Sequence, residues 1–184
     1  MKISSTIARR RLVAAAAAAA LLAPVTATLG SAPASATPFC GIAWGSLPKA
    51  ATPMTTGSVL GVRSGPHACF DRLVVDIGPG TGTVGYSVGY VDTVTNPASG
   101  LPVPVSGGAR LQVSVHAPAT TRVPASGTAG YPGWQTFRQL RWVSSVEGYT
   151  DLGLGVRARL PMRAFTLVGP GGGQRLVVDV AHHW

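Results

Sequence analysis

The chain is 184 residues long and carries fifteen Lys and Arg against six Asp and Glu, a formal charge of +9. Four of the basic residues, Lys2, Arg9, Arg10 and Arg11, precede an apolar stretch that ends in Ala34-Ser35-Ala36. That is the layout of a secretory signal peptide over residues 1–36. The remainder, Thr37–Trp184, has eleven basic residues against six acidic ones, an excess too mild in an exported protein to indicate nucleic acid as a partner.

Pro24 and the small residues around it argue against a permanent span, so the mature chain is expected to cross no membrane. "ARRRLV" at 8–13 leaves both the general secretory and the twin-arginine route open. Cys40 follows Pro38-Phe39 and not a small residue, which argues against lipidation. Cys40 and Cys69 are the only cysteines, and an even pair in an oxidising compartment reads as a disulfide. It would close a loop of about thirty residues, worth roughly 3–4 kcal/mol. The bond would tie an N-terminal extension, 37–58, to a domain at 59–184.

No helical period survives beyond the signal peptide. Short alternating segments separated by Gly and Pro predict about eight strands: Val59–Arg63, Phe70–Ile77, Tyr86–Val91, Arg110–His116, Phe137–Val146, Leu152–Arg159, Arg163–Val168 and Arg175–Val180. Residues 92–108 read as an irregular crossing. Residues 117–134 read as a long mobile loop. The fold class is therefore all-β, a sandwich or barrel.

The second and last of these strands contain the same five residues, Arg-Leu-Val-Val-Asp, at 72–76 and 175–179. Alternation puts Leu73, Val75, Leu176 and Val178 on core faces, while Arg72, Asp76, Arg175 and Asp179 point the other way. Direct antiparallel pairing of the two copies would set Val74 opposite Val177, Arg72 opposite Asp179 and Asp76 opposite Arg175. The competing arrangement puts the copies in different sheets.

"FTLVGPGGGQRLVVDV" resembles the closing strand pair of AMIN domains, and "FDRLVVDIGPGTGTVGYSVGYV" resembles the corresponding first half. Phe70-Asp71-Arg72, then Gly85-Tyr86-Ser87-Val88-Gly89-Tyr90-Val91, then Val103-Pro104-Val105-Ser106-Gly107 follow the order found in AMIN-like domains of secreted actinobacterial proteins and lipoproteins. The resemblance covers roughly Val59–His182. It implies a pseudo-symmetric β-sandwich in which each half contributes one copy of the repeat. It also implies a non-catalytic module of the cell envelope that holds peptidoglycan. Residues 1–184 leave no room for an amidase or secretin domain beside it, so delivery of such a partner domain is not expected.

Enzyme signatures are present but lack their context. Gly85-Tyr86-Ser87-Val88-Gly89 fits a nucleophile elbow, yet Ser87 lies inside an alternating strand that no helix follows. A serine hydrolase using Ser87 is the least favoured alternative. Gly80-Thr81-Gly82-Thr83-Val84-Gly85 lacks the helix that would bind a pyrophosphate and reads as a turn. His182-His183 reads as a surface tail, with no third ligand spaced for a metal. No cofactor, metal or catalytic residue is expected.

Arg157, Arg159 and Arg163 flank a turn and predict a basic patch suited to carboxylates or phosphates of wall polymers. Trp44, Trp134, Trp142, Tyr86, Tyr90 and Tyr149 are candidates for stacking on sugar rings. Trp134, beside Tyr131 in the long loop, is preferred, whereas Trp142 reads as core. The expected partner is peptidoglycan or an anionic glycan, at an extracellular, wall-associated location. The alternative is a structural or protein-interaction domain of the envelope.

Overall fold

Alternating side chains and frequent Gly and Pro breaks produce ten antiparallel strands in this computed structural model, which describes residues 39–184. The predicted signal peptide lies outside the described residues. Among the described residues helix is limited to single 3-10 turns at Phe39–Gly41 and Pro170–Gly172. Among the described residues no helix is long and apolar enough to cross a membrane.

Six strands form one sheet in the order β1 (Lys49–Ala51), β4 (Tyr86–Val91), β5 (Ala109–Val115), β8 (Tyr149–Val156), β7 (Phe137–Val146) and β6 (Thr128–Gly130). Four form the other, in the order β2 (Val59–Pro66), β3 (Phe70–Ile77), β10 (Gln174–Ala181) and β9 (Met162–Val168). Leu73, Val75, Leu176 and Val178 of the smaller sheet share one core with Val113, Phe137, Leu152 and Leu154 of the larger. The molecule is thus a β-sandwich, and all eight expected strands are in it. The two further strands, β1 and β6, are three-residue edges.

Strand order is the same read from either side of a central axis. Exchanging β3 with β10, β2 with β9, β5 with β8, β4 with β7 and β1 with β6 returns both sheets to themselves. The repeat lies on that axis. β3 and β10 pair antiparallel with Val74 opposite Val177, Arg72 opposite Asp179 and Asp76 opposite Arg175. The copies are therefore neighbours in one sheet, which excludes the arrangement in separate sheets.

Two segments expected to be irregular carry more structure than their composition indicates. β6 lies inside 117–134, and Val123 and Tyr131 of that segment are buried. The 92–108 crossing lies over the outer face of the larger sheet, where Val94 and Val105 form a second apolar cluster with Val143. A Cβ on Gly153 would meet Val105 Cγ2 at 2.8 Å and Val94 Cγ1 at 3.1 Å, so glycine there is what lets the crossing lie down. The N-terminal extension is equally integrated. β1 pairs with β4, and a Cys40–Cys69 disulfide fixes the chain ahead of it.

Candidate functional site

The outer face of the four-stranded sheet collects the repeat's charged residues. Arg72 donates to both oxygens of Asp179, Nε to Oδ1 at 2.6 Å and Nη2 to Oδ2 at 2.8 Å. Arg163, on the neighbouring β9, donates Nε to the same Oδ2 at 2.8 Å. On the other side of the axis Arg63 of β2 grips Asp76 at 2.8 and 3.1 Å, and Arg175 Nε stands 3.4 Å from it. Each carboxylate is thus shared by two guanidiniums. The carboxylates of Asp179 and Asp76 raise the Arg72 and Arg63 guanidiniums above their ordinary value through these hydrogen bonds, against an opposing desolvation cost.

The two halves of this face differ in cover. Asp179 is wholly buried, whereas the Asp76 side chain is 32% exposed. The cause is aromatic: the disulfide holds the N-terminal segment so that Trp44 meets Phe70 edge-on at 5.6 Å. The Arg163 guanidinium lies 4.2 Å from the Trp44 ring centre and 5.1 Å from that of Phe165. Arg72 lies over Phe70 at 5.1 Å. Such cation–π contacts are each worth about 0.5–1 kcal/mol at exposed sites.

The predicted basic patch divides. Arg163 joins the Asp179 cluster, whereas Arg159 reaches Ser46 Oγ at 3.2 Å and stands over Tyr90 of β4 at 5.0 Å. Arg157 donates instead to the carbonyls of Gln135 and His182, anchoring the C-terminal end of the chain. Tyr131 is buried against Phe137, and its hydroxyl meets Ser64 Oγ at 2.7 Å. Half-buried Trp134 packs on it at 4.7 Å, and together with Arg138 the two line a shallow recess away from the arginine face.

Ser87 is exposed in mid-strand opposite Ser114, with no hydrogen bond to a His or Asp among the described residues. The 80–85 glycines form a turn held by a Thr56 N–H to Thr81 carbonyl bond. His182 is not a surface tail: it is 1% exposed, its Nε2 donates to the His67 carbonyl at 2.9 Å, and its Nδ1 meets Thr136 Oγ1 at 2.9 Å. Tyr86 and Tyr90 spend their hydroxyls on the Ala164 and Leu160 carbonyls, bracing the two sheets. No cluster of three or more metal-ligating side chains exists among the described residues.

Sequence reasoning did not assign Trp44, Phe70, Phe165 and Arg63 to this face. For three of them the signal was present in the alternation, since Phe70, Arg63 and Phe165 share a parity with the outward residues of their strands.

Comparison with curated proteins and comparison with solved structures each return no match. The family model described as AMIN-like domain matches residues 57–182. That span includes both copies of the repeat, both of its arginine-shared carboxylates and the crossing that covers the larger sheet. A disulfide and this family are features of an extracytoplasmic protein. The chain belongs to the AMIN-like domain family, a cell-envelope-associated class of generally non-catalytic binding domain.

Proposed function

We propose that the protein is a non-catalytic wall-binding module that holds an anionic envelope polymer on the outer face of its four-stranded sheet. The observation that carries this reading is the charge count on that face: four guanidiniums, Arg63, Arg72, Arg163 and Arg175, share two carboxylates. The surplus is positive, half-exposed and flanked by Trp44 and Phe165. Guanidinium pairs bidentately with carboxylate or phosphate, the groups that peptidoglycan peptides and anionic glycans present. Trp134 in its own recess is a second contact for a sugar ring.

The test is co-sedimentation of the mature protein with purified walls, before and after removal of anionic glycans, across a salt series. Screening shortens from about 10 Å at 0.1 M to about 3 Å at 1 M, so binding should fall with salt. Arg63→Gln with Arg175→Gln should weaken binding and flatten the salt dependence. This pair leaves only the partly solvated Asp76 unpaired, so the fold is retained. Loss of binding on glycan removal identifies the glycan, and its persistence identifies peptidoglycan. Absence of sedimentation at low salt, or an unchanged double variant, rejects the reading. A protein-contact role would then be favoured by exposed Leu60, Leu167 and Val168 at one end of the same sheet.

A further inference from the structure

The outer face of the six-stranded sheet carries a second feature of opposite character. Register places Ser87, Ser114, Asp151 and Ser144 in one transverse row across β4, β5, β8 and β7. A bulge between Trp142 and Ser144 brings Ser144 into that row, where its hydroxyl donates to Asp151 Oδ2 at 3.3 Å. Where the 92–108 crossing ends its cover, a recess of ≈ 640 Å³ opens on the row, lined by Pro97, Ala98, Ser114, Glu147, Tyr149 and Asp151. That size is within the usual range of small-ligand sites, about 300–1,000 Å³.

The walls are fixed before any ligand arrives. Asn96 Oδ1 accepts from the N–H groups of Ala98 and Ser99, at 2.9 and 3.3 Å, which sets the Pro97-Ala98 wall. The tight Glu147-Gly148 turn, with φ of 50° and 83°, sets Glu147 at the rim. Tyr149 is braced edge-on by His116 at 5.0 Å, and His116 Nδ1 donates to the Pro53 carbonyl at 3.0 Å.

Asp151 is 3% exposed and forms no ion pair among the described residues. No Lys or Arg lines the recess, in a protein with eleven basic residues outside its signal segment. A buried carboxylate without a cation is costly, and two carboxylates fall short of the about 6–8 oxygens that calcium takes. We infer that this recess binds a primary ammonium group, with Asp151 as its counter-ion, the Ser114 hydroxyl as a further acceptor and the Tyr149 ring against its stem. Glu147 adds negative potential at the rim. Burial raises the Asp151 carboxyl above its ordinary range, with the Ser114 and Ser144 hydroxyls and His116 partly opposing. A bound cation relieves that penalty. Binding should therefore weaken on acidification as Asp151 is protonated. Glu147 and Tyr149 are the other titratable groups lining the recess, and His116 stands against Tyr149 with its Nδ1 on the Pro53 carbonyl.

Ammonium groups reach an envelope protein from amino sugars or from the side-chain amines of peptides, and acetylation distinguishes the charge from the scaffold. The mature protein, labelled for amide NMR, is titrated with glucosamine, N-acetylglucosamine, Nα-acetyl-lysine amide and its Nε-acetylated form. The expected result is saturable shifts at Ser114, Glu147, Tyr149 and Asp151 with one or both amines, absent with both acetylated probes. The responding amine names the source. Asp151→Asn should weaken binding roughly tenfold or more. Tyr149→Ala, at an exposed rim position, should weaken it about threefold. Equal response to free and acetylated probes, no saturation by either amine below roughly 50 mM, or undiminished binding by both variants overturns the inference. Because the arginine face lies on the other sheet, either result leaves the wall-binding test untouched.

Discussion

Two aspartates in identical pentapeptides sit in different surroundings, and their stabilities should differ accordingly. Asp179 is wholly buried beneath Trp44, Phe70 and two arginines, so neutralising it leaves Arg72 and Arg163 facing each other with no counter-ion over a buried position. Asp179→Asn should cost about 3–5 kcal/mol, the usual loss from breaking a buried pair. Asp76→Asn, at a site that water reaches, should cost about 0–1 kcal/mol. Urea midpoints of the two variants measured side by side check this; equal losses would mean that the aromatic cover does not matter. Asp151 behaves in the opposite sense. Its folded-state pKa is raised above the ordinary 3.8 by burial, so the folded state is favoured below that value and loses stability as pH rises through the raised one. Asp151→Asn should therefore match the parent near pH 3.5 and exceed it in stability at pH 7.

Among elements, the N-terminal segment shows how a covalent constraint builds a surface. Phe39–Gly41 would fray without its bond to Cys69, and Trp44 would lose its place against Phe70 and Arg163. Replacing both cysteines by Ser should cost about 3–4 kcal/mol, speed amide exchange in residues 40–48 and expose Asp179. Unchanged exchange there would mean that packing alone holds the segment. The eight longer strands were legible because one face of each is buried, and burial writes a period of two into the sequence. β1 and β6, at three residues each, are too short to carry a period. The Arg72–Asp179 and Asp76–Arg175 pairs were legible because the repeat itself suggested a register. The outward parity of Phe165 and Arg63 was legible too, but Trp44 was not, because it lies outside any strand and only the disulfide-held segment brings it to this face. The Asp151 recess was hidden for a similar reason: it needs the register of four strands, a bulge in β7 and the Val94–Val105 anchor that stops the crossing short of it.

At the scale of the whole molecule the axis through Val74 and Val177 divides the chain into halves that lie side by side and join edge to edge in both sheets. Residues up to about 118 supply β1, β4 and β5 to one sheet and β2 and β3 to the other; the rest supply β6, β7 and β8 to the first and β9 and β10 to the second. Both central pairings, β3 with β10 and β5 with β8, cross that boundary. A half taken alone would expose two long, apolar central strands as unpaired edges and open the single core to water. Fragments 37–118 and 119–184 should therefore each be unfolded as monomers, and strand signal in circular dichroism should appear on mixing them one to one. Self-association is the competing outcome for the first fragment, since pairing β3 with its own copy about Val74 would again set Arg72 opposite Asp76. Sedimentation of the separate and mixed fragments distinguishes these cases, and either of them requires the paired axis. A folded monomer of either fragment would show that the halves are independent and that the two-fold strand order carries no energetic coupling.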